Sequence, residues 1–159
     1  MRESVYLQTS VVSYLTAWES RDLIVTAIQQ LTKEWWNKRR DDFDLYVSDM
    51  VVQESQAGDP LAANRRIEII RNLPVIALSD EVLALAEELA RNVPLPAKAV
   101  EDAVHIACAT VNEIDYLLSW NCKHIANAVI IPKVNRVCII GGYRCPTICT
   151  PQELMEKSE

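Results

Sequence analysis

The feature that most limits what this chain can fold into is the rhythm of its apolar runs. Short β-rich runs of four or five residues recur at Ser4–Leu7, Asp44–Val47, Val75–Leu78, Asp115–Ser119 and Thr147–Thr150. Two stretches with helical periodicity separate each of the first four runs, and one separates the last two. Connections of that length carry a chain back to start a parallel strand, whereas antiparallel neighbours need only a tight turn. The order β-α-α-β-α-α-β-α-α-β-α-β therefore predicts an α/β fold: a three-layer α/β/α sandwich with a mainly parallel central sheet. With 159 residues and an 18.0 kDa mass, the chain fits one domain spanning 1–159.

The helical stretches carry their own start and stop signals. Thr9 and Ser10 lead into Val11, Val12, Tyr14 and Leu15. Ser20 with Asp22 opens a long helix whose apolar residues are Ile24, Ile28, Leu31 and Trp35, closing on Lys38-Arg39-Arg40, cations suited to a helix C-terminus. Ser48 or Asp49 caps a third helix bearing Val51, Val52 and Glu54. Gly58-Asp59-Pro60 ends it and starts Leu61–Arg71. Ser79 is read as the start of a capping box, ahead of a stripe of Val82, Leu85, Ala86 and Leu89. Pro94 and Pro96 break that helix. Lys98–Val111 is the most apolar and alanine-rich helix and is therefore expected at the centre. Asn121–Asn127 reads as a turn with a short helix, and Ile130–Ile140 as a last helix stopped by Gly141-Gly142.

Charge and cysteine usage narrow the function classes. The net charge is −6 and the isoelectric point about 5.0. Bulk electrostatic grip on nucleic acid is excluded, and any such partner needs a local basic patch. Five cysteines, an odd number with no CxxC pair, suit a reducing compartment. No signal-peptide core opens the sequence, and no apolar run approaches the roughly 20 residues that cross a bilayer. The expectation is a soluble cytoplasmic protein without a membrane partner. Cys122-x-His124 with Cys145-x3-Cys149 fits no zinc spacing, so the thiols are read as buried side chains and a zinc-stabilised interaction domain is disfavoured.

In open parallel sheets, chemistry gathers beyond the carboxyl ends of the strands. The first strand delivers Gln8, Thr9 and Ser10 there, the second leads to the helix bearing Glu54, and the fourth delivers Ser119, Trp120 and Asn121. Asp102 opens the alanine-rich helix, where an acid also complements the helix dipole. His105, three residues on, reads as a satisfied histidine at the core edge. Glu101 is expected to point about 100° away round that helix. Asp115 is expected at the far end of its strand, about 13 Å from Ser119. Neither substitutes for a site acid.

Three segments, Val5-Tyr6-Leu7-Gln8-Thr9-Ser10, Glu101-Asp102-Ala103-Val104-His105-Ile106-Ala107 and Asp115-Tyr116-Leu117-Leu118-Ser119-Trp120-Asn121, resemble the signature blocks of PIN domains, particularly VapC-like toxins. The resemblance spans essentially the whole chain and is most specific in the middle block. It implies an α/β/α ribonuclease that cleaves single-stranded RNA with Mg²⁺ or Mn²⁺, dimerises, and is neutralised by an antitoxin protein. The family's four acidic positions are matched here by Gln8, Glu54, Asp102 and Asn121. Only Glu54 and Asp102 keep the charge expected of metal ligands; Thr9, Ser10 and Ser119 are the supporting residues. Mg²⁺ and Mn²⁺ take hard oxygen ligands, so a formal −2 in place of −4 should weaken cation binding and activity. A catalytically impaired PIN fold that binds RNA or an antitoxin is the alternative. Arg39, Arg40, Lys123 and His124 are the candidate contacts to RNA phosphate, with a solvated helix end the simpler account of the first two. Of Trp35 and Trp36, one is expected to pack inward and the other to be available to a protein interface.

Overall fold

A computed structural model of the chain describes residues 1–94, 96 and 99–157. Its strands are β1 (Glu3–Leu7), β2 (Phe43–Ser48), β3 (Val75–Ile76), β4 (Tyr116–Leu118) and β5 (Thr147–Cys149). The helices are α1 (Thr9–Thr16), α2 (Leu23–Arg39), α3 (Asp49–Gln56), α4 (Pro60–Ile70), α5 (Asp80–Asn92), α6 (Val100–Val111) and α7 (Ile131–Ile140). The element order is the one the apolar rhythm predicts. The expected start of the alanine-rich helix at Lys98 lies outside the described residues.

All four strand pairings are parallel, in the order β3-β2-β1-β4-β5. The first strand is thus the central one. Val5, Tyr6 and Leu7 are essentially inaccessible to solvent, as a strand covered on both faces requires. The chain lays β2 and β3 to one side of β1, then crosses to lay β4 and β5 on the other. α1 to α4 pack among themselves, and α5 packs on both α6 and α7, giving the two helical layers. The direction of building reverses at the β1–β4 boundary, where the carboxyl ends of the strands leave a crevice.

Helix starts follow the sequence signals. Gln8, Asp22, Ser48, Asp59 and Ser79 cap α1 to α5 through side-chain oxygens. Ser79 is a simple cap, because Val82 rather than an acid occupies the third helical position; the capping box belongs to Thr150 and Glu153 near the C-terminus. Residues 121–127 form turns with no helix.

α2 buries Trp35 as its apolar residues predict, but the rest of its inner face is turned from the one they mark out. Leu23 and Ile24 are exposed, while Gln29, Thr32, Trp35 and Arg39 face inward. The polar members are inward because they have partners there. Gln29 binds the α1–α2 linker through Ser20 N and Trp18 O, and Thr32 Oγ1 accepts the Trp120 indole N–H at 2.8 Å. Trp35 is fully buried and stacks on Phe43, whereas Trp36 is half-buried beneath the Arg40 guanidinium.

Candidate active site

The crevice is built from residues that sequence position scatters widely. β1 ends at Leu7, and the Gln8 amide binds Leu118 O of β4 at 3.0 Å, so residue 8 is held across the β1–β4 boundary. Gln8 Oε1 accepts three donors: Ser10 N at 3.1 Å, Ser119 Oγ at 2.9 Å, and Ser10 Oγ. Among the described residues its Nε2 makes no hydrogen bond. One oxygen held by three donors is the environment a carboxylate would choose. The seat is one for an acid, filled here by an amide. Ser10 Oγ also accepts the Trp120 amide, and Ser119 Oγ the Asn121 amide, so the two hydroxyls tie both strand ends to one point.

Glu54 reaches the crevice from the last turns of α3. Its Oε1 accepts the Thr9 hydroxyl at 2.6 Å and lies 2.5 Å from His105 Nε2. Burial works to raise the Glu54 pKa, but the hydrogen bond from His105, with help from Thr9, outweighs it and leaves the pKa lowered. Glu101 adds a small further lowering to the Glu54 pKa. α3 packs against α6, and His105 of α6 is what meets Glu54 there.

Asp102, in the first turn of α6, faces the end of β4. Asn121 Nδ2 donates to its Oδ1 at 3.1 Å, and His124 Nδ1 lies 3.1 Å from its Oδ2. Asn121 Oδ1 in turn accepts the His124 amide. Burial raises the Asp102 pKa, with His105 and His124 opposing and the Glu54 charge adding to the rise. Glu54 and Asp102 thus feel each other's charge across the crevice, with His105 acting on both. The chain has only two histidines, and both end here.

The structure brings Gln8, Thr9, Ser10, Glu54, Asp102, Ser119, Asn121 and His124 together; Lys123 is exposed beside His124. Arg39 and Arg40 are a correction. They precede β2 and so lie at the amino ends of the strands, away from the crevice. Arg39 is buried, donating to the carbonyls of Leu154, Met155 and Glu156 and pairing with Asp42, and its guanidinium lies over the Phe43 ring. Arg40 donates to Trp36 O. Neither is available to phosphate at the site. Asp115 does sit at the amino end of its strand, accepting Ser4 N and Oγ and pairing with Arg144. All five cysteines are free thiols; Cys108, Cys138 and Cys149 are buried, while Cys122 is exposed rather than packed.

His105 is the satisfied, buried histidine the sequence suggests, but one of its partners is Glu54, a pairing the sequence does not foretell. The sequence carries a signal nonetheless: a histidine one turn beyond Asp102 on the most apolar helix, and a tyrosine inside a buried strand, each needs a polar partner.

As to a cation, Glu54 and Asp102 fit one hard ion that keeps most of its water, as Mg²⁺ commonly does on one or two carboxylates. The oxygens of Gln8 and Asn121 are already committed to donors. Among the described residues no group of three or more His, Cys, Asp or Glu side chains forms a ready ligand cluster.

This geometry and topology define a PIN-like α/β fold with an all-parallel five-stranded sheet. Among solved structures the chain is similar to the VapBC2 complex of Rickettsia felis, crystallised with a DNA fragment from its promoter, at a TM-score of 0.56 and 12% identity over 92% of this chain and 98% of that one. At that identity the likeness speaks for the fold. No protein-family profile matches the chain, and no curated protein sequence does. Among the described residues no helix is long and apolar enough to cross a membrane.

Proposed function

We propose that the chain is a metal-dependent endoribonuclease acting on single-stranded RNA, working as the toxin of a cytoplasmic toxin–antitoxin pair, and slowed by the amides at positions 8 and 121. The observation that carries this reading is the convergence of Glu54 and Asp102, 48 positions apart in sequence, on one crevice beside a seat shaped for a third carboxylate. The fold likeness to a VapBC complex supports an antitoxin as partner; a homodimer is what the resemblance to VapC-like toxins implies.

Glu54 and Asp102 would hold one Mg²⁺ or Mn²⁺, which supplies a more acidic bound water and neutralises charge on the reacting phosphate. The chain's own residues do the rest. Thr9 and His105 hold Glu54 in place, and Asn121 and His124 hold Asp102. Ser10 and Ser119 fix the two strand ends that form the floor. Lys123, exposed at the rim, offers a positive charge to an incoming phosphate.

A second reading has specific support. With Gln8 Oε1 and Asn121 Oδ1 both occupied by donors, the crevice lacks two charges, which favours a PIN-fold module that holds RNA or an antitoxin without cutting. Cleavage of single-stranded RNA in Mn²⁺ separates the two. The nuclease reading requires measurable cutting by the chain, loss in Asp102→Asn, and a gain in Gln8→Glu. Three equally inert proteins that still bind RNA or a partner protein tightly would establish the binding module instead.

A further inference from the structure

Both donors to Glu54 arrive on one oxygen. Thr9 Oγ1 and His105 Nε2 meet Oε1, at 2.6 and 2.5 Å, and among the described residues no hydrogen bond falls on Oε2. Behind His105 the contacts continue into the core. Its Nδ1 lies 2.7 Å from the Tyr6 hydroxyl, which lies 2.7 Å from Ser48 Oγ. Ser48 Oγ accepts the Val51 amide at 3.3 Å. Tyr6, Ser48 and His105 are all fully buried.

We infer that Ser48 and Tyr6 are positioning residues: they hold His105 in the tautomer that donates from Nε2, and His105 in turn pins Glu54 with Oε2 turned to the crevice. The inference rests on the reading of Glu54 as a cation ligand. The hydrogens can be followed one at a time. An ionised carboxylate only accepts, so Nε2 must carry a proton. The neutral ring then has a bare Nδ1, which needs a donor, and the Tyr6 O–H is the hydroxyl that touches it. Having given its hydrogen to Nδ1, the Tyr6 oxygen accepts from Ser48 O–H, whose own oxygen accepts from Val51 N–H. Every hydrogen points the same way round a circuit. It starts at the N-terminus of α3, which Ser48 caps, passes through β1 and α6, and returns to α3 at Glu54.

The physical consequence is the removal of freedom from a ligand. Without the Tyr6 hydroxyl, His105 can exchange its tautomer or flip its ring, and Nε2 then offers Glu54 a lone pair rather than a proton. The carboxylate would turn away, and a cation would meet a ligand that must first be reoriented. Partners that orient a metal ligand from behind are worth about 10- to 100-fold in affinity.

The protein can be tested in two ways. Nitrogen-15 shifts of His105 should show a proton on Nε2 and none on Nδ1; a ring with a bare Nε2, or one with protons on both nitrogens, overturns the inference without any variant being made. Calorimetry of Mn²⁺ binding should show about a 10-fold loss in Tyr6→Phe. In His105→Gln the side-chain amide nitrogen reaches where Nε2 sits and donates without help, so adding Tyr6→Phe there should cost less than about twofold, a coupling that a merely structural role for Tyr6 would not produce. Equal losses in the two backgrounds, or none in either, refute the positioning role. If the unmodified protein takes up no Mn²⁺, the cation reading fails, while the nitrogen shifts still decide the tautomer.

Discussion

Replacing Gln8 by glutamate tests the site most directly, because the structure allows both signs of its effect to be worked out. Gln8 Oε1 already accepts three donors in a position only 5% exposed. Bonds to a charged acceptor are worth about 1 kcal/mol more each than neutral ones, so the seat returns about 3 kcal/mol towards the cost of burying the anion. Against this, the new charge must be buried and is repelled by Glu54 and Asp102, a repulsion of about 4 kcal/mol for a pair about 4 Å apart at an effective dielectric of roughly 20, and less at longer range. Burial and repulsion together exceed that return, so without metal we expect Gln8→Glu to be destabilising, by about 2 kcal/mol, within the usual range for a single substitution. For a domain of this size that lowers Tm by about 4–8 °C in chelator. A dication reverses the sign, since each carboxylate attracts it twice as strongly as it repels a neighbouring carboxylate. Even after dehydration, Mn²⁺ should bind at least about 10-fold more tightly, a gain of about 1.4 kcal/mol. Thermal melts in EDTA and across a Mn²⁺ titration read both effects on one sample. Identical melts for the two proteins in EDTA, together with an unchanged Mn²⁺ midpoint, would show that residue 8 does not face the cation and would sink the argument.

Other perturbations have defined outcomes. Arg39→Ala strips the donors from three backbone carbonyls and should cost about 3 kcal/mol in urea denaturation without changing RNA affinity; the opposite pattern would return Arg39 to the binding surface. The bonds from Ser4, with Arg144 assisting, hold the Asp115 pKa below its ordinary value. Its contribution is therefore complete above about pH 4 and lost as pH falls through the depressed pKa, so Asp115→Asn should flatten the acid limb of a stability–pH profile. Because Asp115 is partly exposed, the change should be small and should shrink further in salt. Gly142 has a φ of +82°, so Gly142→Ala should lower stability by about 1 kcal/mol through backbone strain alone, seen as a drop in Tm.

The sequence carried the fold well because the fold is written in periodicity. A buried strand must be an unbroken apolar run, and Val5-Tyr6-Leu7 is one. It carried the inner face of α2 poorly. Gln29 and Thr32 go inward to satisfy a linker and an indole, and hydrophobicity has no term for a partner some ninety residues away. Arg39 failed for the same reason: a cation at a helix end reads as solvated until the C-terminal carbonyls that receive it are known. At the site, Glu54 and Asp102 were legible because strand-end topology limits which acids can meet. The seat around Gln8 was not legible, since its three donors come from Ser10 and Ser119, residue types that occur everywhere.

A chain whose middle strand is made first has a particular history during synthesis. When β1 leaves the ribosome, only one of its edges will find a neighbour soon, in β2. The other edge waits for β4, and Ser119, Asn121 and His124 arrive with it, about three quarters of the way along the polypeptide. Until then Glu54 has no opposite wall. A fragment that stops before β4 is therefore left without a closed pocket, and whatever this protein does to its target must wait for that strand.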